Sequence, residues 1–228
     1  MQLLDRKPGE SSKGYALRTI KENIINLTLE PGSQISENEI AAEIGLSRTP
    51  VREAILNLSK VKIVAIYPQK KGIVSLIDYD LIDEYQFMRS NLEEAIMEDV
   101  CQTATAQELH RLSENVRLQK FALENLDYTE MNRLDKDFHG MLFEIADKRL
   151  IYQVMNTISI HLDRVRQLTA SPASGLKSLQ DHEDILAAIA DRDVRRACAL
   201  LEVHLTRYKA DAATVREKFP QYVKTKDR

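Results

Sequence analysis

The chain has 228 residues, with 32 Lys and Arg against 35 Asp and Glu, five His, two Cys and no Trp. That length exceeds one small domain and allows a real core. No apolar run reaches membrane-spanning length, the opening MQLLDRKPGESSKG lacks the core of a secretory leader, and Cys101 and Cys198 make no disulfide framework. A reducing, cytoplasmic setting without a membrane is expected, with both cysteines packed as small hydrophobes.

Charge is uneven along the chain. Residues 1–76 hold eleven Lys and Arg against eight Asp and Glu, a balance of +3, and residues 77–228 hold twenty-one against twenty-seven, a balance of −6. A mildly basic head on an acidic body suits a polyanionic partner held at one end.

The lead-in to Gly14 reads as loose. From Glu30 the pattern sharpens. Ser36-Glu37-Asn38-Glu39 is a capping box opening a short helix with Ile40, Ala41 and Ile44 on one face, and Gly45 supplies its left-handed end. Ser47 caps a second helix, where Pro50 is tolerated because the first turn needs no donor, and Val51, Ala54, Ile55 and Leu58 form its buried side. Arg48, Thr49 and Arg52 stay near its start and outer face. Residues 63–67 and 73–76 read as strands around the turn Pro68-Gln69-Lys70-Lys71-Gly72.

Helix, tight turn, cationic helix and two strands describe a winged helix-turn-helix, which seats its second helix in the major groove of double-stranded DNA. Ser47 and Thr49 suit phosphate oxygens, Arg48 or Arg52 can fork onto guanine O6 and N7, and Lys70 and Lys71 can lie over the minor groove or its phosphates. Taken singly, each cation could equally be an ordinary solvated surface charge.

The segment PGSQISENEIAAEIGLSRTPVREAILNL resembles the signature of GntR-type transcriptional regulators. The resemblance implies that Ser47, Arg48, Thr49 and Arg52 contact an operator and that Gly72 lets the wing approach DNA closely. Two positions depart from the pattern: Asn38 stands where many members carry arginine, and Lys62 where a glycine usually follows the recognition helix.

After Ile77 the texture is helical throughout. Helices are expected over about 81–101, 105–126, 129–146, 149–169, 176–190 and 193–217, with Thr105-Ala106-Gln107-Glu108 as a second capping box, a break at residues 171–175 and a tight turn at residues 191–193. The expected fold is mainly α: a winged helix-turn-helix over residues 1–77, then an antiparallel bundle of about six helices over residues 78–228 that carries effector binding, metal binding and dimerisation.

Polar groups interrupt the bundle's apolar stripes. Asp135 and His139 stand one turn apart beside Met131, Phe138 and Leu142; His182 lies with Ile185, Leu186 and Ile189; His204 follows Leu200 and Leu201. A buried carboxylate must be paired or coordinated, and a divalent metal would satisfy these four groups together. Histidines on apolar faces are also ordinary core residues, and Asp135 with His139 could form a simple carboxylate–imidazole pair. Residues 81–210 further resemble the helical ligand-sensing domain of the FadR-like branch of the GntR regulators. Metal-binding members of that branch carry D-x-x-x-H and two later histidines, which implies Asp135, His139, His182 and His204 as ligands to zinc, nickel or manganese.

Arg89 sits on or beside the stripe of Tyr85, Leu92 and Ile96. It either pairs with a neighbour such as Glu93 or holds a small carboxylate effector, as arginines in the matching helix of the family do. His161 reads as core packing and His110 as a solvated residue. The resulting expectation is a ligand-responsive repressor that binds a near-palindromic operator as a homodimer and is not an enzyme. The alternatives are a regulator for which the metal is itself the signal, and a metallohydrolase fused to a DNA-binding head.

Overall fold

The lead-in is packed, contrary to expectation. Ser11 caps α1 (Ser12–Ile25), its side chain accepting from the Gly14 amide, and Tyr15, Ala16, Ile20 and Ile24 form a buried stripe. Asn23 ties the start of the chain to this helix: its side-chain oxygen accepts from Gln2 N at 2.7 Å and its amide donates to Gln2 O at 2.8 Å. Arg18 reaches back to Glu10 at 2.7 Å. The computed structural model describes residues 1–67 and 71–225.

The chain forms two compact units. The first comprises Met1–Leu81, Thr157–Gln167 and Val215–Arg228, and the second Ile82–Asn156 and Leu168–Thr214.

In the first unit, β1 (Gln34–Ile35) precedes α2 (Glu37–Glu43) and α3 (Arg48–Lys60), followed by β2 (Val64–Ala65) and β3 (Gly72–Val74). Ser36 accepts from Glu39 N at 3.4 Å, half of the expected box. Gly45 adopts φ +68°, the left-handed conformation expected of it. The short strand β1 was not anticipated. It pairs antiparallel with β3, which also pairs with β2, giving the order β1-β3-β2. Gly72 permits that pairing, since a Cβ there would come within 3.0 Å of Ile35 Cγ1.

α3 ends in a Schellman turn. Lys62 N donates to Ser59 O and Ile63 N to Leu58 O, both near 3 Å, and this geometry places Lys62 at φ +60° where glycine is favoured. The same unit holds α8 (Ile160–Thr169) as far as Gln167. His161 Nε2 lies 2.7 Å from Val61 O, and the buried Arg164 donates to Ser75 O at 2.6 Å.

The second unit is helical: α4 (Tyr79–Thr103, from Ile82 onward), α5 (Ala106–Glu124), α6 (Tyr128–Ile145), α7 (Arg149–Met155), α9 (Pro172–Ala190), α10 (Val194–Thr206) and α11 (Tyr208–Lys218, as far as Thr214). Thr105 and Glu108 complete the predicted capping box. All six expected helical stretches are present, and two are interrupted. The stretch 149–169 breaks at residues 156–159 into α7 and α8, and the stretch 193–217 breaks at Arg207 into α10 and α11. α9 starts earlier than expected, at Pro172, because Ser171 and Ser174 form a reciprocal cap. Phe138, Leu142, Phe143, Ile185, Ile189 and Leu201 are buried almost completely. Among the described residues, no helix is long and apolar enough to cross a membrane.

Candidate nucleic-acid interface and metal centre

The exposed start of α3 carries the residues expected to meet DNA. Ser47 is the N-cap, in extended backbone, and its hydroxyl makes no capping hydrogen bond. Arg48, Thr49 and Arg52 are exposed, Pro50 is half-buried, and Val51, Ala54 and Ile55 anchor the opposite face. Lys71 and Gly72 lie at the β3 side of the wing; Lys70 lies outside the described residues.

Two of these cations are held by α2. Arg48 Nε donates to Glu37 Oε2 at 2.6 Å and Lys71 Nζ to Glu39 Oε1 at 2.7 Å. Sequence reasoning assigned Glu39 a capping role and Glu37 none. Exposed pairs of this kind contribute little stability and exchange readily for phosphate oxygens.

In the helical unit, α6 brings Asp135 and His139 to one point, with His182 from α9 and His204 from α10. One ligand atom from each lies within 4.8 Å of every other, and all four residues are buried. His204 Nε2 stands 3.2 Å from His139 Nε2 and 3.3 Å from His182 Nε2. Asp135 Oδ1 lies 3.6 Å from His182 Nε2 and 3.7 Å from His204 Nε2. Ligand nitrogens about 2.1 Å from a shared ion stand about 3.0 Å apart at a right angle and about 3.4 Å apart at the tetrahedral angle. The spacing observed suits a common cation.

The outer ring nitrogens explain why the inner ones converge. His139 Nδ1 is 2.6 Å from Glu93 Oε2, His182 Nδ1 is 2.7 Å from Gln119 Oε1, and His204 Nδ1 is 3.2 Å from Asp181 Oδ2. Each Nδ1 faces an oxygen, so a ring that carries its one hydrogen there keeps its Nε2 lone pair for the centre. Three lone pairs at this distance repel one another unless a positive charge sits between them, so the donor set fits a divalent metal.

Comparisons with known proteins identify both parts of the chain. Residues 16–74 match the model of the gntR family of bacterial regulatory proteins, and residues 84–207 match the FCD domain. The chain belongs to the GntR family, in its FCD-bearing branch. The regulator is 28% identical over 203 residues to the HTH-type transcriptional repressor RspR of Escherichia coli strain K12, covering 88% of each chain. It is 26% identical over 192 residues to the gluconate operon transcriptional repressor of Bacillus subtilis strain 168, covering 81% of this chain and 77% of that one. Its fold is that of E. coli McbR/YncC, with a TM-score of 0.78 at 20% identity over 90% of this chain and 98% of the other. A GntR regulator from Rhodococcus sp. RHA1 gives a TM-score of 0.74 at 24% identity, with the same coverage. The protein is therefore a DNA-binding transcriptional regulator.

Arg89 of the regulator is buried, and its Nε donates to Glu93 Oε1 at 2.6 Å. This is the neighbour pairing weighed above as the alternative to a direct effector contact. Burial pushes the Glu93 carboxyl up, but Arg89 and His139 outweigh it and hold the pKa at about 2. Burial opposes the charge on Arg89 as well, and Glu93 more than restores it. Burial and then the Arg89 charge lower His139 to about 4, so the ring is neutral near pH 7. Asp181 is braced similarly: burial raises its pKa, and bonds from Arg207 and His204 bring it below the usual carboxylate range.

Sequence reasoning missed Gln119 and Asp181 and knew Glu93 only as a partner for Arg89. Gln119 could have been found, because it lies one turn beyond Asn115 on the stripe marked by Leu112 and Val116. An open groove of about 620 Å³ beside α5, α6 and α7 is walled by Arg111, Asn115, Arg133, Lys136, Arg149 and Tyr152 rather than by the four cluster residues. The exposed His110 also lines it. Cys101 is buried and Cys198 half-buried, and burial raises both thiol pKa values.

Proposed function

We propose that this regulator is a repressor whose helical domain senses a small organic acid at a divalent metal held by Asp135, His139, His182 and His204. The observation that carries the reading is the convergence of three Nε2 lone pairs and one carboxylate oxygen, each imidazole turned by its own Nδ1 acceptor. A divalent ion held there would supply Lewis acidity toward a carboxylate oxygen. A dication with one carboxylate and three neutral imidazoles carries a net +1, which favours an anionic effector, whereas Arg89 is matched by its ion pair with Glu93. Zinc, nickel and manganese all suit the donor set.

At the other site, Ser47, Arg48, Thr49, Pro50 and Arg52, together with Lys70, Lys71 and Gly72, would meet the duplex. Two chains acting as a homodimer would present two recognition helices to a near-palindromic operator. Repression is supported by the names of the relatives RspR and the gluconate operon repressor. Coupling of about 1–3 kcal/mol between the centre and the operator would change DNA affinity roughly 5–150-fold.

The test is to select an operator from a random duplex pool and measure affinity for metal-loaded and metal-stripped protein with a panel of small carboxylates. The proposal expects at least one acid to weaken binding only when metal is present. A response to metal alone, with none to any acid, would make the ion the signal instead.

A further inference from the structure

We propose that Asn115 and Gln119, on successive turns of α5, are positioning residues that fix the tautomer of His182 and thereby set the metal affinity of the centre. The inference rests on the metal reading above. It begins at the backbone carbonyl of Leu134, which can only accept. Asn115 Nδ2 donates to that oxygen at 3.1 Å, so the Asn115 side-chain oxygen must face the other way. There it accepts from Gln119 Nε2 at 2.7 Å, which turns Gln119 Oε1 toward His182 Nδ1, also at 2.7 Å. Gln119 and His182 are fully buried, and Asn115, at the wall of the open groove, is only 6% exposed, so the bonds beyond Asn115 are shielded from water.

The other two histidines need no such device. Glu93 and Asp181 are carboxylates that accept through either oxygen, and Arg89 and Arg207 hold them in place. His182 alone is oriented by an amide, whose two ends look alike to the packing but demand opposite tautomers. A reversed Gln119 would offer hydrogens to Nδ1. The ring hydrogen would then sit on Nε2, aimed at His204 Nε2 3.3 Å away, and one ligand would be lost. The Phe138 ring, stacked on His182 at 4.4 Å, fixes the plane of the imidazole but not its proton. Leu134 directly precedes Asp135, so the relay also ties the ligand on α9 to the helix that carries two others.

The experiment titrates the full-length, metal-free chain with Co²⁺, followed by its d–d absorption and by chelator competition. Gln119→Leu and Asn115→Leu should each weaken Co²⁺ binding by about 10–100-fold. Gln119→Glu should retain affinity, because a carboxylate accepts from Nδ1 through either oxygen and the Asn115 amide can turn to donate to it, and in that background Asn115→Leu should cost far less than in the unmodified chain. Ring ¹⁵N shifts of His182 in the metal-free chain should report a protonated Nδ1, and a shifted tautomer mixture in Gln119→Leu. Equal affinity for Gln119→Leu and the unmodified chain, or an Asn115→Leu penalty of the same size in both backgrounds, would overturn the proposal. Failure of the unmodified chain to take up Co²⁺ would instead remove the metal reading, and the relay with it.

Discussion

Glu93 Oε2 lies 2.6 Å from His139 Nδ1, both groups fully buried, while the other oxygen of the same carboxylate accepts from Arg89. One side chain thus neutralises a buried guanidinium and aims a candidate metal ligand. Replacing Glu93 with Gln should leave Arg89 charged and unmatched, at a cost of roughly 3–5 kcal/mol in chemical denaturation. Metal affinity should fall by about 10–100-fold in the same variant. Unchanged stability would mean that the ion pair is not the anchor of this region.

Acid should destabilise the metal-free protein in two stages. His139 is depressed from 6.5 to about 4, so the unfolded chain takes up a proton first; the associated stability is complete above pH 6.5 and lost as pH falls through about 4. Glu93 is depressed from 4.5 to about 2, and its contribution disappears over that lower window. Denaturation midpoints measured from pH 7 to pH 3 should decline throughout, whereas a profile flat down to pH 4.5 would contradict the burial of a neutral His139.

Lys62 occupies φ +60° at the end of α3. Lys62→Gly should stabilise the DNA-binding unit by about 0.5–1 kcal/mol, the relief of left-handed strain slightly exceeding the added freedom of the unfolded chain. A lower denaturation midpoint in urea would show that the lysine side chain compensates for its backbone.

Glu37 and Glu39 occupy the cations that DNA would take. Glu37→Gln with Glu39→Gln should tighten binding to mixed-sequence duplex severalfold at low salt, with the gain shrinking as salt rises, by fluorescence anisotropy. On a selected operator, Arg48→Ala or Arg52→Ala should cost about 1–3 kcal/mol and relax sequence preference, whereas Lys71→Ala should weaken all sequences alike. Unchanged affinity in both arginine variants would remove the proposed readout.

Local signals made much of this legible from the sequence, and long-range pairing limited the rest. Ser36, Gly45 and Ser47 delimited the helix-turn-helix because caps and left-handed glycines act within one turn of chain. The four cluster residues were visible because a charged or imidazole group on an apolar stripe violates the pattern around it. Strand β1 is only Gln34–Ile35 and exists through its pairing with β3, which no window around residue 34 contains. α1 was hidden behind a polar start whose fixing contacts, Gln2 to Asn23 and Glu10 to Arg18, are non-local. The stripe through Met155, Ile158, Leu162 and Val165 keeps helical spacing across the break at residues 156–159, because periodicity records that a face is buried and not what buries it. Gln119 and His182 are 63 positions apart, so the bond between them had no signature in sequence.

The central claim is met most directly by metal analysis of the purified chain. Elemental analysis after exposure to zinc, and again for the His182→Ala and His204→Ala double variant, should give one ion per chain for the first and none retained for the second, with the helical content of both unchanged. Full occupancy in the double variant would place any metal elsewhere and contradict the account.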